Sequence, residues 1–313
     1  MKRRVAPVQL GCCPEVTRCR LCPPMPPQVS RETLDALIEH TAERATADEP
    51  VYVGFYGGPP PPRSLYTQLS VPFTIRVRPD LLSRDVAMTL IEHGCTQIEL
   101  DVLTFDDRVL RGLGRSYRSG LIRQMCEALS GRVELGIVLA IGLPGTGHQT
   151  CLADAAEAVA WANTARLHPV LVRDGSALRE AHLDGLYRPL DLAQAVTTCA
   201  EMLDILEPAG VKVIRVGQNP HGDELAPVVA GPKHSSFREL VEARRVLSAL
   251  RKHHVPLGSN VIIRCAPKDQ TRVRGPLNGN VRTLRAEWGA ASVRVTADQA
   301  LTRGTWTVEL IEE

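Results

Sequence analysis

Short apolar, β-branched runs recur along the chain at Val51–Tyr56, Phe73–Val77, Gln97–Val102, Val133–Ile141, Ala165–Val172 and Val211–Val216. Between them lie segments whose apolar residues return at helical period: Ser83–His93, Tyr117–Leu129, Gln149–Ala162 and Leu192–Pro208. The runs are nearly continuous, as in VYVGFYG and ELGIVLAIG, with no in-and-out alternation. Strands covered on both faces read this way, so the pattern predicts a parallel sheet. Six strand–helix units fit either a doubly wound sheet or a partial barrel, with right-handed crossovers in both.

Past about residue 220 the rhythm changes. A loop, HGDELAPVVAGPKHSS, leads to an Arg- and Lys-rich amphipathic helix at Phe237–His254. A strand at Asn260–Cys265, a loop RVRGPLNGN and a helix at Val281–Trp288 follow, then strands at Ser292–Thr296 and Thr305–Ile311. The expected organisation is a cysteine-bearing segment with the first helix of the core (1–50), an α/β core (51–232) and a basic helix with a small α+β appendix (233–313). Glycine and proline crowd the loops after three strands, at Gly57-Gly58-Pro59, Gly142-Leu143-Pro144-Gly145 and Gly217-Gln218-Asn219-Pro220. In parallel α/β folds those carboxyl ends form the ligand side, and glycine lets backbone approach a ligand closely. Taken singly, each loop is also explained by turn chemistry.

Composition narrows the classes. With 313 residues and 44% hydrophobic side chains, a sizeable core is assured. The net charge of +2 excludes a uniformly basic nucleic-acid binder, yet residues 233–313 carry 14 Lys and Arg against 8 Asp and Glu. The tail is the basic part. No apolar run is long enough for a membrane helix or a signal peptide, so the expectation is a cytoplasmic protein with no membrane partner. Nine cysteines then read as core residues or metal ligands rather than disulfides.

Four of them, Cys12, Cys13, Cys19 and Cys22, fall within eleven residues just before the first strand–helix unit. A tight turn brings the sulfurs of a Cys-x2-Cys pair to one side, and Cys13 can close a third position. Adjacent cysteines seldom serve one ion, which makes three ligands the natural count, with Cys12 the rival to Cys13. Three thiolates fit an iron–sulfur cluster with one open iron, or a zinc site lacking a ligand; unligated thiols are the remaining reading. The other five cysteines sit singly in helical or strand patterns and read as core.

A cysteine triplet leading into a Gly-Gly loop after the first strand resembles the radical SAM superfamily. FYGGPPPP at 55–62, RVRPDLL at 76–82, IELDVLTFDDRVLRGLGR at 98–115, GLPG at 142–145, LHPVLVRDGSALREAHLDGLYRPLDLAQAV at 167–196, VIRVGQNP at 213–220 and AGPKHSSFRELVEAR at 230–244 are similar, in order, to the group related to the Elongator catalytic subunit. The resemblance covers roughly 11–250. It implies a partial (β/α)6 TIM-type barrel, a 4Fe–4S cluster and S-adenosylmethionine (SAM) at its open iron. Cys13, Cys19 and Cys22 match the cluster ligands, and Gly57 and Gly58 match the loop whose backbone receives the methionine amino group. Glu99 and Arg115 sit in motifs that face the cofactor, and Gly142 to Gly145 match the loop under the adenine. The implied activity generates a 5′-deoxyadenosyl radical on a substrate the sequence does not name. An electron donor of flavodoxin or ferredoxin type and an RNA, tRNA above all, are the implied partners. No counterpart of the Elongator subunit's acetyltransferase domain is expected within these 313 residues.

Several positions depart from the family pattern. Five residues separate Cys13 from Cys19 where three are usual, and Leu21 replaces an aromatic. Pro59, Leu103 and Val138 stand where polar groups are expected, which removes hydrogen bonds that ligand binding would use. A rival reading follows: a degenerate member that keeps the fold and serves as an RNA-binding or scaffolding protein. In the appendix, the loop before Val281–Trp288 resembles the GxxG loop of a KH module, with Gly275 and Gly279 one residue too far apart. RNA would be met across Arg272, Arg274 and Arg282; a structural cap on the barrel is the other reading of this segment.

Overall fold

A computed structural model describes residues 4–10, 20, 21, 30–46, 48–218 and 226–311. The chain divides into two units, Met1–Ala195 with Met202–Lys233 and Val196–Glu201 with His234–Glu313.

In the first unit the strands are β1 (Arg4–Gln9), β2 (Val51–Tyr56), β3 (Phe73–Val77), β4 (Cys95–Leu103), β5 (Glu134–Ile141), β6 (Thr164–Pro169) and, after the two-residue β7 (Val172–Arg173), β8 (Lys212–Val216). They pair in the order β1-β2-β3-β4-β5-β6-β8, every neighbour parallel, and the sheet curls into a half-barrel. The helices of this unit are α1 (Arg31–Glu43), α2 (Arg63–Tyr66), α3 (Arg84–Glu92), α4 (Asp107–Gly112), α5 (Ser119–Leu129), α6 (His148–Val159), α7 (Ala177–Leu183) and most of α8 (Leu192–Leu206). Local chemistry starts several of them. Ser83 caps α3 through the Val86 N–H, Asp106 caps α4 through Arg108 and Val109, and Asp191 forms a capping box with Gln194 at α8.

The strand pattern resolves into two files. Ile75, Ile98, Leu100, Leu135, Ile137, Leu139 and Leu167 are buried on the face that meets the helices. The other, concave face carries polar side chains at alternate positions, because successive strand residues point to opposite sides. The partial barrel expected from the resemblance is the fold observed.

Three differences from the sequence reading have physical causes. Arg4–Gln9 adds a seventh strand at the sheet edge. Its six residues include Pro7, which lacks an N–H and survives in a sheet only where one side needs no donor. The run read as Ala165–Val172 ends at Pro169, and Val172–Arg173 pairs instead with β9 (Val228–Ala230) in a separate antiparallel ribbon. The segment RVRGPLNGN is not a loop. It ends α10 (Gln270–Arg274), turns through Pro276–Asn278 and opens α11 (Gly279–Trp288).

The second unit also holds α9 (Phe237–Leu250), β10 (Asn260–Cys265), β11 (Ser292–Ala297) and β12 (Trp306–Ile311). β10 is central, parallel to β11 and antiparallel to β12. Leu247, Leu250, Val261, Ile263, Cys265, Val273, Leu284 and Trp288 make its core. Among the described residues no helix is long and apolar enough to cross a membrane.

Candidate active site

Strand register assembles the concave face. Tyr56, Arg76, Glu99, Gly136 and Thr164 stand abreast across β2 to β6. One step toward the carboxyl edge, Val138, Arg166 and Arg215 are partners across β5, β6 and β8, and Ala140 faces His168 beyond them.

Glu99, 3% exposed, accepts two hydrogen bonds from Arg166, at 2.7 and 2.8 Å. The two residues are two strands apart, and Gly136 between them explains the reach. A Cβ at 136 would lie 2.8 Å from Glu99 Cγ and 3.0 Å from Thr164 Oγ1, so only glycine lets the glutamate cross β5. Arg76 pairs with Asp101 at 2.6 Å, and Gln97 donates to Thr164 at 2.9 Å. Burial chiefly, then Arg166 and Arg76, pulls the Arg215 pKa below its usual value. Burial and Arg76, Arg166 and Arg215 hold His168 well below the usual imidazole range, so its ring is neutral at pH 7. Its Nε2 is sealed from solvent with no hydrogen-bond partner among the described residues. Burial pushes the Tyr56 hydroxyl up, against the pull of Arg166.

At the carboxyl edge the glycine loops take the backbone conformation that favours glycine: φ is +78° and +66° at Gly57 and Gly58, +82° at Gly142 and +83° at Gly145. A side chain at Gly142 would meet Leu190 at 2.8 Å, and the Tyr187 hydroxyl donates to the Gly142 carbonyl at 2.6 Å. Leu103 adopts a left-handed φ of +67° at the end of β4, unusual for a bulky residue and a mark of local strain. Arg115 is buried beyond α4. Nearby, Arg78 holds Asp80 through two bonds at 3.0 and 2.6 Å and lies 5.8 Å from the Tyr117 ring centre.

Cys12, Cys13, Cys19 and Cys22 lie outside the described residues. Their neighbours Arg20 and Leu21 do not. Leu21 packs against the cluster that contains Leu103, Ala140, Leu143, Val170, Val172 and Leu178, an apolar patch at the strand ends, and the Arg20 carbonyl accepts from the Leu178 N–H at 3.0 Å.

The three arginines of the appendix are engaged within their own unit. Arg272 donates to Glu239 at 3.1 Å, Arg274 donates to the Val295 carbonyl at 3.1 Å, and Arg282 donates to the Leu277 carbonyl. Gly275, at φ +68° against Asn280, makes the turn between α10 and α11.

Sequence reasoning passed over Tyr56, Arg76, Asp101, Arg166, His168 and Arg215. Their signal was present as charged or polar residues set into apolar strands, FTIRV, TARLHP and KVIRV, with Arg166 and His168 at the i, i+2 spacing of one face.

A family model described as the radical SAM C-terminal domain matches residues 162–247. Over 182 residues the chain is 26% identical to human (Homo sapiens) Elongator complex protein 3, covering 55% of this chain and 31% of that protein. The yeast protein (Saccharomyces cerevisiae) is 25% identical over 203 residues, covering 61% and 35%. The chain thus spans about a third of the length of the curated relatives it matches. Archaeal Elongator protein 3 from Methanocaldococcus infernus superimposes with a TM-score of 0.60 at 18% identity, covering 80% of this chain and 65% of that one. Coproporphyrinogen III oxidase of Escherichia coli, a radical SAM enzyme, gives 0.50 at 18% identity, covering 67% and 54%.

Proposed function

Since the chain is a member of the radical SAM superfamily related to the Elongator catalytic subunit, we propose that it binds a 4Fe–4S cluster and SAM and generates a 5′-deoxyadenosyl radical. Cys13, Cys19 and Cys22 would hold the cluster. The observation that carries this reading is Leu21, which sits between Cys19 and Cys22 and packs on the apolar patch at the strand ends, the ligand side of a parallel half-barrel. The glycine turns on the same edge fit the cofactor, because positive φ at Gly57, Gly58, Gly142 and Gly145 presents backbone free of Cβ. When bound, the cluster held by Cys13, Cys19 and Cys22 would supply the single electron for reductive cleavage of the SAM held at Gly57, Gly58 and Arg115.

The chain's own part is to bind and to exclude. Gly57 and Gly58 would receive the methionine amino group, Arg115 would face the cofactor, and the buried patch around Leu103 and Leu143 would keep water from the radical. Glu99 would act from the lumen wall, fixed in one rotamer by Arg166. The electron would come from a small flavodoxin- or ferredoxin-type protein, and the whole would work in the cytoplasm. A modified RNA is the substrate class that the Elongator relationship supports.

One observation favours the second reading, a fold that has lost catalysis and acts in RNA binding or scaffolding. Val138 and Leu103 are buried apolar residues on the wall, and both Glu99 oxygens already serve Arg166.

Anaerobic reconstitution with iron and sulfide, then dithionite and SAM, separates the two. Cluster absorbance with 5′-deoxyadenosine, both lost in the Cys13→Ala/Cys19→Ala/Cys22→Ala variant, is the expected result. A cluster without cleavage selects the second reading, and zinc in place of iron rejects the radical mechanism.

A further inference from the structure

Among the described residues Arg76, Arg166 and Arg215 meet Glu99 and Asp101 in the middle of the concave face, and the pairing is uneven. Asp101 answers Arg76, and both Glu99 oxygens answer Arg166. Arg215 makes no hydrogen bond or ion pair among the described residues; Glu99 and Tyr56 favour its charge without a direct bond. Its partner across the strand pair is Arg166, another cation, and Arg76 also bears on it. Like charges side by side on adjacent strands repel, and a partly buried cation with no direct ion pair is costly to hold. Beside this pair, His168 offers a neutral ring whose Nε2 is sealed and unpartnered. Both residues lie at the carboxyl half of their strands.

We propose that the lumen binds the carboxylate of a small-molecule substrate, with Arg215 as its counter-charge and His168 as a neutral hydrogen-bonding neighbour. Within this group of described residues one positive charge is in surplus, which matches one carboxylate, and a guanidinium fork meets a carboxylate through two parallel bonds. A phosphate dianion would overshoot the charge. The cofactor's own carboxylate is a poor match. Gly57 and Gly58, proposed for the methionine amino group, follow β2, whereas Arg215 is on β8 with β3, β4, β5 and β6 between. The proposal rests on the radical reading but sets a small carboxylate in place of RNA as the substrate class, with the lumen as that substrate's place.

The test is thermal unfolding of the reconstituted protein at matched ionic strength, with chloride replaced by acetate or by inorganic phosphate. Wild type, Arg215→Gln and Arg215→Lys are compared with and without SAM. Acetate is expected to raise the wild-type midpoint by about 2–4 °C in the presence of SAM. That rise should vanish in Arg215→Gln and survive in part in Arg215→Lys. Without acetate, Arg215→Gln should melt at or above the wild-type temperature, because it removes an unpaired cation. An acetate effect that is absent, or undiminished in Arg215→Gln, overturns the proposal. So does displacement of acetate by SAM, which would assign the site to the cofactor, or a larger Arg215-dependent shift with phosphate. The 5′-deoxyadenosine assay is read separately on wild type: an Arg215-dependent acetate shift without cleavage fails the radical reading alone, and cleavage without that shift fails this proposal alone.

Discussion

The half-barrel and the C-terminal unit use the same residue types in opposite ways. The C-terminal unit fills its interior with Val261, Ile263, Leu284 and Trp288 and turns its arginines outward, where Arg251 meets Glu287 and Arg264 meets Glu309. Asp269 is its buried exception, accepting from the Gly304 N–H. The half-barrel instead lines its concave face with Arg76, Glu99, Asp101, Arg166 and Arg215. Desolvating charges rarely gains stability over an apolar core, so such an interior is better explained by what it binds. The C-terminal unit is organised for stability, and under the proposed function the lumen is organised for a ligand.

Three substitutions sharpen the contrast. Glu99→Gln leaves Arg166 buried without its counter-charge and should lower stability by about 3–5 kcal/mol in chemical denaturation. A loss below about 1 kcal/mol would mean that the lumen is as well solvated as the outer surface, and the contrast would fail.

Asp154 on α6 comes next. It braces the end of β4 by accepting from the Phe105 N–H at 2.7 Å, and burial pushes its carboxyl pKa up to about 6. A carboxyl whose folded pKa lies above its unfolded value of 3.8 favours the fold fully below that value and loses this contribution as pH rises through 6. Asp154→Asn should therefore gain on wild type by about 2 kcal/mol between pH 4 and pH 8, read from paired melts. A difference that does not change with pH would show the carboxyl to be solvated.

The smallest effect belongs to the C-terminal unit. Arg264→Ala removes an exposed ion pair and should shift the unfolding midpoint least of the three, by an amount that shrinks further in high salt.

Much of the fold was legible because each element advertises itself locally. The apolar run at Val51–Tyr56 and the helical period of Ser119–Leu129 need no partner to be read. β1 was not legible, since a six-residue strand containing Pro7 becomes a strand only against β2. The helix at Gln270–Arg274 was masked by the two glycines that follow it, which read as loop until Gly275 is seen turning against Asn280. The cysteine triplet and glycine loops stood out by spacing alone. The charged lumen did not, because Arg76, Arg166 and Arg215 are distant in sequence, and a lone arginine in a strand carries no address.

The sequence by itself determined the alternation of strands and helices, the glycine turns at the strand ends and the superfamily resemblance, all properties of short segments. Tertiary structure alone decided which charges meet. Only parallel register sets Arg166 beside Arg215, and only the missing Cβ of Gly136 lets Glu99 cross to Arg166 and bond it.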